Sequence, residues 1–310
     1  MTRDDERGFA LVAVLLILTI LGIVGAEFAY SMRLEGSAVR AYKESTIGAH
    51  LAEAAIEQAI RETVMDFAFV AVCQARPLTF YGGDRVAITS LPRREVPLGS
   101  GQFSYTISDE EARLNLNGAP RERIDRLLQF GLDLDKSVRD VIGDSIQDWR
   151  DSNDEHRLNG AESEDTYLKL AVPYRARNGN IESMAELLQI KGITPAIFDG
   201  TEGRPGLAAV ATVKTPGPVN INTADEPVMR ALGLSEAEIG EILTTRCDGP
   251  YPAVPGQFGA RGFIVTSRTF RIDAEGIVNN RVTARLTALV QKRSGRNQAA
   301  LAVLEWSGPR

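Results

Sequence analysis

Residues 9–26 read FALVAVLLILTILGIVGA, eighteen positions without a charge. As a helix rising about 1.5 Å per residue, the run spans ~27 Å, just enough to cross the hydrocarbon core of a bilayer. No proline or composition break separates it from the polar stretch that begins at Glu27, so the helix is expected to continue. Further on, apolar residues fall at Ala52, Ala55, Ile56, Ala59, Ile60, Val64 and Phe67, the spacing of an amphipathic helix with one buried stripe. The pattern therefore predicts one helix over residues 9–66, ~87 Å long, half of it apolar all round and half lying on a globular domain. Short alternating segments at 78–81, 86–91, 103–107 and 114–116 predict strands, bounded by Gly82-Gly83, Pro92, Pro97 and Gly99. Near the other end, 269–278 and 281–291 predict a hairpin turned by Asn279-Asn280, since asparagine tolerates positive φ, and 301–306 predicts a last strand. Between the two sets of strands the periodicity is helical, at 121–130, 136–149, 181–188, 195–198, 226–232 and 236–246. Ser183 with Glu186, and Ser235 before a Glu-rich first turn, supply start signals. The Gly/Pro-rich stretch 200–218 predicts a mobile loop between two helical subdomains. One sheet interrupted by a large helical insertion is the economical arrangement.

Composition narrows the class. With 44% hydrophobic and 25% charged residues the chain is neither disordered nor a polytopic membrane protein. A net charge of −6 gives no general attraction for a phosphate backbone. Cys73 and Cys247 permit one optional disulfide, and with only His50 and His156 beside them they cannot build a four-thiolate zinc site.

The apolar run has two readings. A secretory signal peptide would be cut after Ala26, where Val24-Gly25-Ala26 offers small residues. Against this, the leader MTRDDERG sets Asp4, Asp5 and Glu6 against Arg3 and Arg7, where a secretory leader wants a plainly positive start. A short charged leader ending in Gly8, followed by Phe9 opening the apolar helix, resembles the type IV pilins and pseudopilins. The resemblance implies cleavage by a prepilin peptidase between Gly8 and Phe9 and methylation of Phe9. Most subunits of that kind carry glutamate at the fifth mature position, which here is Ala13. An ionisable residue in the bilayer core costs about 2.5–3.5 kcal/mol even on the mildest scale, so it is kept where it finds a partner. Its absence suggests a subunit with no neighbour above it to pair with.

A more specific resemblance follows from a series of motifs in order. They are Asp109-Glu110-Glu111-Ala112-Arg113-Leu114-Asn115-Leu116-Asn117, the DWxD from Asp148 to Asp151, Asn159-Gly160-Ala161-Glu162, Pro173-Tyr174-Arg175, Asn178-Gly179, Glu186-Leu187 with Lys191-Gly192-Ile193, and Val219-Asn220-Ile221-Asn222-Thr223-Ala224. Together they resemble the K-type minor pseudopilins of the type II secretion system, the general secretion pathway protein K family, over nearly the whole chain. Lack of the glutamate is a feature of that family too. The fold implied is α+β, with a leader at 1–8, a transmembrane part of the N-terminal helix at 9–30, and a pilin-like antiparallel β-sheet domain from 31–118 and 261–310. An all-helical insertion at 119–260, with subdomains at about 119–199 and 219–247, interrupts that domain. The function implied is that of a structural subunit at the tip of the pseudopilus, initiating its assembly for export across the outer membrane. It would sit in the bacterial inner membrane by a single pass, its globular part in the periplasm. Its implied partners are the I-type and J-type minor pseudopilins, the major pseudopilin, the prepilin peptidase and the inner-membrane secretion platform.

Chemistry concentrates in one segment. Residues 144–165 hold eight acids (Asp144, Asp148, Asp151, Asp154, Glu155, Glu162, Glu164 and Asp165) against Arg150 and Arg157, a sum of −6 equal to that of the whole chain. Crowded carboxylates repel unless they are spaced or neutralised. Calcium accepts six to eight oxygen ligands in irregular geometry, which suits an acidic loop. Counting from Asp151, Asn153, Glu155 and Glu162 fall at EF-hand positions three, five and twelve, but His156 replaces the glycine of position six. The expectation is a non-standard calcium loop with Asp148, Asp151, Asp154, Glu162 and Asp165 as ligands and Asn153 and Glu155 in addition, to be weighed against a solvated acidic loop. The K-type resemblance also implies calcium.

A competing motif lies at 219–243, which resembles the helix-hairpin-helix of DNA-uptake and repair proteins, so that a periplasmic nucleic-acid-binding protein of DNA uptake is the alternative. Its connection, Gly233-Leu234-Ser235, lacks the usual second glycine, and Glu226, Glu236, Glu238 and Glu241 surround it, which opposes phosphate binding. No nucleic acid is expected as a partner. No GxSxG, P-loop or HExxH is present, and the acids at 109–111 stand without a companion signature, so no enzyme is expected.

Overall fold

The computed structural model describes residues 3–74, 76–294 and 299–308, so Met1 and Thr2 of the expected leader, and Pro309 and Arg310, lie outside the described residues. Helix α1 runs unbroken from Arg3 to Thr63. It starts six residues earlier than the apolar pattern predicts. Residues 11–43 are exposed or nearly so, and the helix is long and apolar enough to cross a membrane. From Gly48 onward a stripe of Leu51, Ala52, Ala55, Ile56 and Ala59 is buried against a five-stranded antiparallel sheet.

The sheet runs Ala299–Ser307, Arg281–Ser294, Thr269–Val278, Gly101–Asp109, Val96–Leu98 from edge to edge. Alternation along the strands turns Phe103, Tyr105 and Ile107, with Phe270, Ile272 and Ala274, into one core with α1. Asn279 and Asn280 both adopt positive φ, 52° and 57°, and close the predicted hairpin. Gly276 of the central strand lies so close to Gly48 of α1 that a Cβ there would collide with the Gly48 backbone.

The insertion leaves the sheet after Asp109 and returns at Thr269, and Asp109 pairs with Phe270, so its two ends are neighbours. Within it stand α2 (Arg121–Leu132), α3 (Lys136–Arg150), α4 (Pro195–Asp199), α5 (Leu207–Val210), α6 (Glu226–Ala231) and α7 (Glu236–Asp248). Residues 181–188, predicted helical, form instead a 3-10 turn at Met184–Gln189 capped by Ser183. Four expectations need correction. The insertion is not all-helical: Leu114–Asn115 pairs in parallel with Ala211–Thr212, Val219–Asn220 pairs in parallel with Phe263–Ile264, and Gly200–Thr201 pairs with Arg204–Pro205. The stretch 200–218 is not a loose connection, because Leu207, Val210, Ala211 and Val213 are buried in the core. The two expected subdomains share that core, which joins Ile124 and Leu127 of α2, Ile146 and Trp149 of α3, and Ile239 and Ile242 of α7. Residues 86–91 form no strand; they contribute one bridge, Tyr81 to Ala87, and Val86 faces solvent.

Two links tie the halves together beyond the strand crossings. Cys73 and Cys247 form a disulfide between the segment after Phe69–Ala71 and the end of α7. Beside it the Val72 N–H donates to the Asn222 carbonyl at 3.0 Å.

Candidate functional site

Helix α3 sets Asp144 and Asp148 one turn apart and ends on Asp151, so three of the predicted acids reach the same side of the insertion. The chain then turns through residues 152–158, all exposed. Asn153 Nδ2 donates to Asp151 Oδ1 at 2.9 Å, and the Glu155 N–H donates to Asn153 Oδ1 at 2.9 Å. The Asn153 amide thus holds the turn, and Glu155 points no described contact back into it.

Asp148 is the anchor. Its side chain is fully buried and accepts from the Arg157 N–H at 3.1 Å, from Arg157 Nη1 at 2.6 Å and from the Ala161 N–H at 3.0 Å. A Cβ at residue 160 would collide with this carboxylate, so Gly160 is required by the close approach. Arg157 Nη1 also reaches Asp151 Oδ2 at 2.7 Å. Asp154 Oδ1 accepts from Asn178 Nδ2 at 2.8 Å. Asp144, in contrast, belongs to a separate pairing, accepting from Arg121 Nε at 2.7 Å and Asn159 Nδ2 at 3.1 Å.

Glu162 differs from all of these. It is 1% exposed, and neither carboxylate oxygen takes a hydrogen bond. Burial pushes its carboxyl up to about 7, and the charges of Asp148, Asp151 and Asp154 add to the shift. The structure therefore links Asp148 to Asp151 through Arg157 and leaves Asp154 and the buried Glu162 within electrostatic reach of them. It does not bring in Asp165, whose exposed carboxylate faces His156 Nε2 at 3.4 Å and Lys169 Nζ at 4.0 Å.

The donor set is all oxygen, which fits a hard cation. The orphaned, buried carboxylate of Glu162 is the observation that calls for one, since an unpaired charge in such a place is costly. Among the described residues, however, no three His, Cys, Asp or Glu side chains already converge as a metal centre. Arg157 stands between Asp148 and Asp151 instead. Support comes from behind: Trp149 Nε1 donates to Glu186 Oε1 at 2.8 Å, and Tyr167 packs edge-on to the Trp149 ring with centroids 5.2 Å apart.

Against this geometry, residues 107–202 match the family model described as Type II secretion system (T2SS), protein K. The chain is similar to proteins named Type II secretion system protein K. It is 26% identical to the protein of that name from Pseudomonas aeruginosa over 249 residues, covering 74% of this chain and 69% of the relative. With the Pectobacterium carotovorum subsp. carotovorum protein of the same name it shares 26% identity over 263 residues, covering 77% and 74% respectively. Its fold is that of a chain in the crystal structure of the GspK-GspI-GspJ complex from the enterotoxigenic Escherichia coli Type 2 Secretion System. There the TM-score is 0.54 at 20% identity, covering 71% of this chain and 84% of that one.

The asparagines of the motifs that carry the K-type resemblance have structural work in this chain. Asn117 donates to the Ile181 and Val213 carbonyls and accepts from the Ile181 N–H at 2.8 Å; Asn222 donates to the Tyr251 carbonyl at 3.2 Å and accepts from its N–H at 2.7 Å. These asparagines satisfy buried backbone groups that no helix or strand reaches. The hairpin of α6 and α7 is likewise self-contained. Ser235 and Glu238 form a capping box at the start of α7, and Arg261 Nη1 donates to the Gly233 carbonyl at 2.6 Å. Of the amides that would meet a phosphate there, the Ser235 N–H already donates to Glu238 Oε2 and those of Gly233 and Leu234 to the Arg230 and Met229 carbonyls. Sequence reasoning missed Arg157 as a member of the site, counting it only as charge; its place three residues past Asp154 in an acidic loop was the available signal.

Proposed function

We propose that this relative of protein K is a minor pseudopilin, a non-catalytic structural subunit of the type II secretion pseudopilus. The observation that carries the reading is the unbroken helix α1, apolar all round at one end and buried on a sheet at the other. Such a helix serves first as a bilayer anchor and then as a packing element among like helices. Cleavage by the prepilin peptidase between Gly8 and Phe9, with methylation of Phe9, would release the subunit from its charged leader. The sheet and insertion would stand in the periplasm, where the Cys73–Cys247 disulfide is compatible with an oxidising compartment. By analogy with the solved complex, the I-type and J-type subunits are the direct partners, with the major pseudopilin and the inner-membrane secretion platform meeting the assembled tip. Calcium would be held by Asp148, Asp151, Asp154 and Glu162, supplying a fixed positive charge that orders the loop after α3.

The test is co-purification. The full chain, expressed with the I-type and J-type proteins of the same genome and extracted in detergent, should elute as a stable ternary complex. Elution of the chain alone while the other two pair would overturn the reading. The nucleic-acid alternative has no observation in its favour, since the α7 N-terminus is occupied by Glu238 and flanked by Glu236 and Glu226.

A further inference from the structure

Arg157 bridges two of the acids that the calcium reading names as ligands. Its Nη1 lies 2.6 Å from Asp148 Oδ1 and 2.7 Å from Asp151 Oδ2. Asp148 is fully buried, so its charge cannot be left to water. Arg157 itself keeps 41% of its side chain exposed, reaching in from a loop that belongs to no helix or strand. The one guanidinium serves two carboxylates, Asp148 and Asp151. Glu162, buried and within electrostatic reach of Asp148, Asp151 and Asp154, is left with two unpartnered oxygens.

We propose that Arg157 is a displaceable internal cation, neutralising Asp148 and Asp151 while the loop is free of metal and swinging out to solvent when calcium enters among Asp148, Asp151, Asp154 and Glu162. The inference rests on the calcium reading above. Little has to move. Residues 152–158 are exposed and outside regular structure, and the Ala161 N–H holds Asp148 independently of the Arg157 side chain. A planar fork of donors serves two carboxylates well but is fixed in shape, whereas calcium collects oxygens from several directions. The ion can therefore recruit Glu162, which the guanidinium leaves alone.

The consequence is a competition with opposite signs in its two states. A site whose binding-competent form is only partly populated shows an affinity weakened by that fraction. Removing the Arg157 side chain should destabilise the metal-free protein and strengthen calcium binding, while a merely structural ion pair would weaken both. The experiment uses the full chain in detergent micelles, with calcium titrated by calorimetry and melting followed in EDTA and in millimolar calcium. Arg157→Ala should melt below wild type in EDTA, bind calcium about tenfold more tightly, and gain more in melting temperature on adding calcium. Arg157→Gln, which keeps the stem and a donor without the charge, should also bind more tightly and guards against a folding failure of the alanine variant. Glu162→Gln should lose calcium binding in either background. Wild type that binds calcium while both Arg157 variants bind it equally or more weakly would overturn the displacement and leave the calcium site standing. No binding by wild type and by either Arg157 variant would overturn the calcium reading itself.

Discussion

Glu111 sits where the sheet hands over to the insertion, 1% exposed, with both carboxylate oxygens accepting from the Thr269 N–H at 3.2 and 3.0 Å. Burial, with the Asp109 charge added, pushes its carboxyl up to about 8 from an ordinary 4.5. Asp109 is raised as well, by burial, even though Ser267 and Thr223 donate to it. Glu110 on the same turn goes the other way: burial would raise it, but Arg113 and Arg271 outweigh that and lower it. For Glu111 the folded state holds a proton that the unfolded chain has already released, so its contribution to stability falls as pH rises from about 4.5 to about 8. Glu111→Gln keeps an acceptor for Thr269 and removes the ionisation. Its melting temperature should therefore fall less between pH 5.5 and pH 8.5 than that of wild type, a difference of order 1–3 kcal/mol in stability; the same pH slope in both proteins would assign the effect to another group. This cluster was visible in the sequence only as three adjacent acids with no companion. Its partners Ser267, Thr269 and Arg271 lie more than 150 positions away, and nothing local in the sequence marks them. The acidic segment after α3 was more legible because its acids lie within one short stretch, yet Asp165 shows the limit, being close in sequence and turned outward in space.

Elements with a strong period of their own were readable. The run at 9–26, the stripe from Ala52 and the Asn279-Asn280 turn all appear where the pattern puts them. Elements whose existence depends on a distant partner were not. Leu114–Asn115 exists as a strand because Ala211–Thr212 comes alongside, and the stretch 200–218 is ordered because the core accepts Leu207 and Val210. Helix-to-sheet spacing was hidden for the same reason. Gly48 and Gly276 let α1 lie in backbone contact with the central strand, and neither glycine carries a local signal of that. Gly276→Ala should push the helix off the sheet and lower stability by about 1–3 kcal/mol, as overpacking does. Gly240, exposed on α7 with open space where a Cβ would stand, supplies the comparison: Gly240→Ala should raise stability by up to about 1 kcal/mol through helix propensity. Equal melting temperatures for Gly276→Ala and wild type would mean that the contact is slack.

On the scale of the whole molecule, the direction in which the insertion leaves the sheet bears on where the subunit can sit. Gly276 and Gly101 lie beside Gly48 and Leu51 of α1, whereas Phe270 packs on Phe67 with ring centroids 5.9 Å apart, and Lys292 Nζ donates to the Met65 carbonyl at 2.9 Å. The Asp109 and Phe270 end of the sheet is therefore the end farther from the apolar run, by ~22 Å over the fifteen residues between Gly48 and Thr63. The insertion rises from that far end, fastened by the Cys73–Cys247 disulfide. On the pseudopilin reading proposed above, a next subunit in a stacked filament would have to pack on the far end, where the insertion stands. Ala13 agrees with this, since a subunit with nothing above it has no neighbouring N-terminal amine to meet with a glutamate, and a lone carboxylate there would only weaken insertion. The expected outcome is that the mature chain begins at Phe9, carries one methyl group there by intact mass, and is found by antibody labelling at one end of each assembled pseudopilus. Ala13→Glu should give no gain in assembly. A mature chain beginning at Glu27 would make the apolar run a secretory signal peptide, and labelling along the whole filament would mean that the insertion can be accommodated between stacked subunits after all.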